Sequence, residues 1–119
     1  MAMRAIQVLL ADDDVLTRES TKRVSEQIGC VIVGEAADGR EAVKLSHTLH
    51  PDVILMDTDM PYMDNLEAIR YCVAPVIILI TCALAEIAEQ SCVSGASACL
   101  TKPVTADALQ RAIAIAVAN

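Results

Sequence analysis

Residues 51–69 read PDVILMDTDMPYMDNLEAI, and the rest of the fold can be worked out from this stretch. Its apolar run, Val53–Met56, is continuous, as expected of a strand that is covered on both faces of a sheet. Asp57 follows the run directly, and Asp64 and Glu67 have the spacing that opens a helix. A buried strand, an acidic loop and a helix form one βα unit, which predicts a parallel sheet.

Four further apolar runs repeat this unit along the chain. Segments of mixed polarity, long enough for helices, separate the runs Ile6–Ala11, Val31–Val33, Val76–Ile80 and Ala98–Leu100. Five such units predict the α/β class, as a (βα)5 doubly wound parallel sheet of the flavodoxin-like type. Because the first, third and fourth runs are the most apolar, we expect the second and fifth strands at the edges and the strand order 2-1-3-4-5.

Apolar periodicity and capping residues mark the helices. A first helix is expected over residues 15–28. Its inner face should consist of Leu16, Val24 and Ile28. A second helix should open at the capping box of Asp38 and Glu41 and run to about Leu49. Few residues remain before the fourth strand, so the third helix should be short.

The composition is that of one acidic domain. The chain has 119 residues, of which 55% are hydrophobic and 21% charged, enough to bury a core without disulfide or metal staples. Its formal net charge is −7, which would repel a phosphate backbone. We therefore expect no direct nucleic acid binding by this segment.

Neither export nor a membrane segment is predicted. The N-terminus turns acidic after a short apolar run, and no stretch approaches the ~20 apolar residues of a spanning helix. The five cysteines lack the spacing of a zinc site and are expected to be small buried residues in a reduced compartment. We expect a cytoplasmic protein that does not associate with a membrane.

Polar residues follow four of the predicted strands at the point where each ends. They are Asp12 and Asp13, Asp57, Thr81 and Lys102. Carboxyl ends of parallel strands share one edge of the sheet, and ligands bind there where the winding reverses, here between the first and third strands. Three converging carboxylates repel one another, and Mg²⁺, which prefers oxygen ligands, would relieve that repulsion. The lysine and the hydroxyl could stabilise a phosphoryl group in transfer to the central carboxylate.

Five segments together resemble the receiver domain of two-component response regulators, over nearly the whole chain. They are VLLADDD (8–14), GEAADGREAV (34–43), the stretch at 51–69, PVIILIT (75–81) and GASACLTKP (95–103). The resemblance implies a phosphorylation-dependent signalling switch rather than an enzyme. It also implies one receiver domain over residues 1–119, either stand-alone or cut from a longer regulator with a C-terminal output domain.

The resemblance implies a role for each residue at the acidic edge. Asp57 would accept the phosphoryl group, and Thr81 and Lys102 would bind it, with a cis peptide bond before Pro103 aiming the lysine. The implied Mg²⁺ site consists of Asp12, Asp13, Asp57 and the backbone carbonyl of Asp59. The implied partner is a histidine kinase or phosphotransfer protein. The resemblance also allows a homodimer through the fourth helix, fifth strand and fifth helix.

Two departures from the family pattern leave alternatives open. Counting from Pro75 places Ile80, rather than Thr81, at the usual switch position, and Cys99 stands where an aromatic switch residue is common. One alternative is a receiver-like binding module that is not phosphorylated. A phosphohydrolase would match the D-x-D of residues 57–59, but no residues remain for its cap domain. A flavin-binding protein would need a phosphate-binding loop where this chain has three aspartates.

Overall fold

A computed structural model describes residues 4–58, 65–80 and 95–118. Its five strands are β1 (Gln7–Ala11), β2 (Val31–Ala36), β3 (Val53–Asp57), β4 (Val76–Ile80) and β5 (Ala98–Thr101). Its described helices are α1 (Val15–Gln27), α2 (Gly39–Leu49), α3 (Asn65–Tyr71) and α4 (Ala106–Ala118). The predicted fourth helix falls in residues 81–94, outside the described residues, so α4 is the helix that was predicted as the fifth.

The strands form one parallel sheet in the order β2-β1-β3-β4-β5, which confirms the predicted topology. Every residue of β3 and β4 is buried, whereas β2 and β5 are mostly half-buried. That difference is expected, because the edge strands have a neighbour on one side only. The apolar runs therefore predicted both the strands and their ranking from centre to edge.

Alternate residues of each strand pack on opposite faces of the sheet. On one face, residues such as Leu10 and Leu55 pack with Leu109 and Ile113 of α4. The other face, which includes Met56, packs with residues of α2 and α3. The sheet is thus covered on both sides, and its carboxyl edge is held by a rigid aliphatic core.

The capping box of α2 forms as the sequence predicted, and Asp14 caps α1 in addition. The N–H of Glu41 donates to Oδ1 of Asp38, while the Glu41 carboxylate accepts from the N–H of Ala37, each at 2.8 Å. Asp14 is the N-cap of α1, where its side chain accepts from the N–H of Leu16 at 2.9 Å.

The predicted inner face of α1 was wrong at Leu16, whose side chain is 80% exposed. Val24 and Ile28 do pack against the core, together with the buried Ser25. At about 100° per residue, Leu16 lies some 80° around the helix from Val24. This rotation takes Leu16 off the face that meets the sheet.

Candidate functional site

Three carboxylates meet where β1 and β3 end. Asp12 and Asp13 follow β1, Asp57 ends β3, and one carboxylate oxygen from each lies within 4.8 Å of the others. Asp12 and Asp57 are almost fully buried, at 1% and 4% exposure, whereas Asp13 is exposed. The sheet therefore fixes two of the carboxylates, and the third faces solvent at the mouth of the cluster.

Lys102 joins this cluster from the end of β5. Its ammonium nitrogen lies 2.7 Å from Oδ2 of Asp12 and 2.9 Å from Oδ1 of Asp57. The N–H of Lys102 donates to the carbonyl of Ile80 at 2.7 Å, and the peptide bond to Pro103 is cis, as the resemblance implied. The side chain extends from the end of β5 to Asp12 and Asp57 at the acidic edge.

Two opposing effects act on the charge of Lys102. Burial lowers the pKa of Lys102, but its hydrogen bond to Asp12 and its pairing with Asp57 outweigh that effect, so the pKa lies above its ordinary value. The side chain is only 13% exposed, so the ammonium partly neutralises the two buried carboxylates.

Sequence reasoning missed the residues that hold Asp12. The hydroxyl of Thr17 donates to Oδ2 of Asp12 at 2.7 Å, and the N–H of Asp14 donates to Oδ1 at 2.9 Å. The guanidinium of Arg18 donates to the backbone carbonyl of Asp12 at 2.6 Å and also to Glu35 on β2 at 3.0 Å. The signal in the sequence was the run of polar residues TRESTKR (17–23) within α1, which is equally typical of a solvated helix face.

Two predicted site residues, Asp59 and Thr81, lie outside the described residues. β4 ends at Ile80, which pairs with Thr101 of β5. Ile80 is 2% exposed and packs in the apolar core. The predicted roles of Asp59 and Thr81 therefore stay predictions.

One prediction about the cysteines was wrong. Cys99, half-buried on β5, is disulfide-bonded. Cys30 and Cys72 are free thiols, and burial raises the pKa of each. A disulfide depends on which cysteines the fold brings together, and spacing along the chain does not reveal that.

The donors of the acidic cluster fit a hard divalent cation. They are carboxylate oxygens, and Mg²⁺ is commonly bound through one or two carboxylates with waters completing its coordination. Asp12, Asp13 and Asp57 supply such oxygens close together, and the exposed Asp13 leaves the cluster open on one side. The chemistry of the cluster thus suits Mg²⁺, with Lys102 supplying a second positive charge beside it.

The sheet order, the acidic edge and the lysine that bridges two of its carboxylates are those of a receiver-type signalling domain. The model of the response regulator receiver domain family matches residues 8–114, and the chain belongs to this family. A curated relative is the transcriptional regulatory protein PdtaR of Mycobacterium tuberculosis, 35% identical over 117 residues, or 95% of this chain. The chain spans 57% of the length of PdtaR.

Solved receiver domains share the same architecture. The response regulator domain of Thermotoga maritima CheB is 31% identical, with a TM-score of 0.81 and 98% of each chain covered. The receiver domain of the sensor histidine kinase PA1611 from Pseudomonas aeruginosa is 26% identical, with a TM-score of 0.81 over 98% of this chain and all of that one. That structure has a magnesium ion coordinated in its active site cleft. None of the helices described in the present chain is long and apolar enough to cross a membrane.

Proposed function

We propose that this receiver domain is a phosphorylation-dependent switch in which Asp57 accepts a phosphoryl group in a Mg²⁺-dependent reaction. The observation that carries the proposal is the convergence of Asp12, Asp13 and Asp57 within 4.8 Å, with the ammonium of Lys102 on two of them. Two buried carboxylates beside an exposed one form a costly arrangement unless cations occupy it. A phosphotransfer site uses such cations to stabilise the charge of the phosphoryl group.

Each residue has a definite part in the proposed reaction. A carboxylate oxygen of Asp57 attacks phosphorus, the phosphorus–nitrogen bond of a phosphohistidine donor breaks, and the imidazole leaves with its electron pair and takes up a proton. The product is an acyl phosphate on Asp57. Asp12, Asp13, Asp57 and the backbone carbonyl of Asp59 would hold Mg²⁺, which supplies positive charge for the phosphoryl oxygens. Lys102 would pair with a phosphoryl oxygen, and Thr81 would donate its hydroxyl to another.

The partners and the output follow from the same proposal. The donor would be a histidine kinase or a phosphotransfer protein, and the domain would control the output of a longer regulator. PdtaR is a transcriptional regulator by name, and transcription is one output consistent with the 35% identity to it. Dimerisation through the predicted fourth helix, β5 and α4 would be one way to pass the signal on. We propose a cytoplasmic location, without direct nucleic acid binding by this segment.

Small-molecule phosphorylation tests the central step. The domain is incubated with Mg²⁺ and acetyl phosphate and examined by intact mass, and one base-labile phosphoryl group is expected. Asp57→Ala should abolish the labelling, whereas Asp107→Ala, at an exposed acid in the first turn of α4, should label like wild type. Equal labelling of Asp57→Ala and wild type would refute the assignment of Asp57.

A receiver-like binding module that is not phosphorylated is the second candidate. Cys99 favours it, because this residue replaces the common aromatic and is held in a disulfide. The same experiment decides between the two candidates, since the module would take no phosphoryl group whether or not Mg²⁺ is present.

A further inference from the structure

The side chain of Asp12 accepts three hydrogen bonds from described residues. Its Oδ2 accepts from the Thr17 hydroxyl and from the Lys102 ammonium, both at 2.7 Å. Its Oδ1 accepts from the N–H of Asp14 at 2.9 Å, and its own N–H donates to the carbonyl of Ala36 at 3.0 Å. Thr17 and Lys102 thus share one oxygen, although they approach it from α1 and β5.

The Thr17 hydroxyl has two acceptors within reach. Oδ2 of Asp12 lies 2.7 Å away and the carbonyl of Asp14 lies 3.3 Å away. A hydroxyl carries one proton and donates one strong hydrogen bond, and a charged acceptor at shorter distance is preferred. The Thr17 hydroxyl therefore donates mainly to Asp12 and not to the backbone of α1. Thr17 is thus part of the site, although it lies in the first turn of α1 and not at a strand end.

We propose that Thr17 is a positioning residue of the phosphoacceptor site, whose hydroxyl holds Asp12 while Lys102 moves from the carboxylates to the phosphoryl group. This inference rests on the proposed function. When Lys102 turns to a phosphoryl oxygen, Oδ2 of Asp12 loses its charged donor. The Thr17 hydroxyl remains on that oxygen, so the buried carboxylate keeps a hydrogen bond and its orientation toward the metal position.

Removal of this hydroxyl should weaken Mg²⁺ binding even in the unphosphorylated domain. Without the Thr17 hydroxyl, the donors to the Asp12 side chain that remain among the described residues are Lys102 and the N–H of Asp14. The lysine then holds the carboxylate more strongly, and the carboxylate is less well oriented for Mg²⁺. A hydrogen bond to a charged group corresponds to roughly 10-fold or more in an equilibrium constant. We expect about 10-fold weaker Mg²⁺ binding, since solvent can replace part of the bond at this half-buried side chain.

The experiment compares Mg²⁺ affinity by calorimetry in wild type, Thr17→Val, Thr17→Ser and Thr48→Val. Thr17→Val keeps the shape of the side chain and should bind about 10-fold more weakly, and Thr17→Ser should restore affinity to within about twofold. Thr48 is the matched control, because its hydroxyl donates to the carbonyl of Lys44 at 3.1 Å on an exposed part of α2. Thr17→Ala is measured beside Thr17→Val, with circular dichroism to verify that each variant is folded.

A double-mutant cycle separates positioning from a general structural effect. In an Asp12→Ala background, Thr17→Val should cause no further loss of Mg²⁺ affinity, because its hydroxyl has lost the acceptor. Affinity of Thr17→Val within twofold of wild type, or an equal loss in both backgrounds, would overturn the assignment. Wild type that binds Mg²⁺ but takes no phosphoryl group on Asp57 would refute the proposed function instead, leaving the affinity data to decide on Thr17.

Discussion

The ammonium of Lys102 lies 2.7 Å from Oδ2 of Asp12, a carboxylate 90 positions away in the chain. The resemblance implied that this lysine binds the phosphoryl group, and the bond to Asp12 is an addition. Since the second contact, to Asp57, is 2.9 Å, one lysine partly offsets both buried carboxylates. Lys102 therefore supplies part of the positive charge that a bound cation would also supply to these carboxylates.

Lys102→Ala should make the stability of the domain depend on Mg²⁺. Without the ammonium, two buried carboxylates face each other, and leaving buried charges uncompensated costs about 1–3 kcal/mol or more. We expect the free energy of unfolding to fall by that amount without metal and to recover when Mg²⁺ is added. Urea unfolding with and without Mg²⁺ measures both values. A loss of stability that Mg²⁺ does not restore would mean that the lysine acts mainly through packing.

Asp13→Ala and Asp14→Ala should have opposite consequences, although the two residues are adjacent. Asp13 belongs to the acidic cluster and Asp14 caps α1. The first variant should lose Mg²⁺ affinity with little change in stability. The second should lose about 0.5–2 kcal/mol of stability, the cost of removing an N-cap, and keep its affinity. Calorimetry measures the Mg²⁺ affinity of both variants, and urea unfolding measures their stability. Equal losses of Mg²⁺ affinity would mean that the acidic residues attract the cation through their summed charge and do not form a defined site.

The sheet could be predicted because the signal for each strand, a short apolar run, is local in the sequence. A continuous apolar run such as Val76–Ile80 is typical of a strand at the centre of a parallel sheet, where both faces are buried. The edge where Asp12 and Asp57 meet then follows from topology, since all five strands point the same way. The two described site elements that were predicted, the acidic cluster and Lys102, are both residues at strand ends.

The details that escaped prediction depend on rotation and on contacts between distant residues. Whether Thr17 faces solvent or Asp12 depends on the rotation of α1, the same quantity that left Leu16 exposed. The bond from Arg18 to Glu35 joins α1 to β2 and has no signature in spacing. Contacts of this kind arise from packing, which a hydrophobic pattern specifies only to within a fraction of a helical turn.

Asp52 should contribute stability that is lost in acid. Burial raises the pKa of Asp52, but the N–H of Gln7 and the guanidinium of Arg4, which donate to it at 2.7 Å each, outweigh this and lower the pKa below its ordinary value. The contribution is therefore complete above the unfolded pKa of about 3.9 and disappears as the pH falls through the lower folded value.

Asp52→Asn tests this dependence. The variant should be about 1 kcal/mol less stable at pH 7, a value reduced for the partial exposure of the pair. The difference from wild type should shrink as the pH falls below about 4, because both proteins then lack the charge. Urea unfolding between pH 2.5 and pH 7, a range chosen to span the acid limb, gives the two curves. Curves that remain parallel down to the lowest pH would show that the charge of Asp52 has no part in stability.

Thr81→Ala tests the proposed role of Thr81 as the sensor of phosphorylation. A receiver switches because the phosphoryl group interacts differently with two conformations, and the shift cannot exceed that difference. If the Thr81 hydroxyl donates to a phosphoryl oxygen in the active state only, the bond contributes roughly 1.5–3 kcal/mol, about 10- to 150-fold in the equilibrium. Because Cys99 replaces the common aromatic, ring burial adds nothing to this shift.

Hydrogen exchange with and without beryllofluoride, a phosphoryl mimic, measures the switch in wild type and in Thr81→Ala. Wild type should change its exchange mainly in the segment that follows β4, and the change should be smaller than in receivers that have the aromatic. Thr81→Ala should lose most of the response while still binding the mimic, since Asp57 and Lys102 are intact. Thr101→Ala, at the end of β5, is the matched control and should respond like wild type. If Thr81→Ala also responds like wild type, Thr81 is not the sensor, and the one-residue ambiguity with Ile80 is resolved against it.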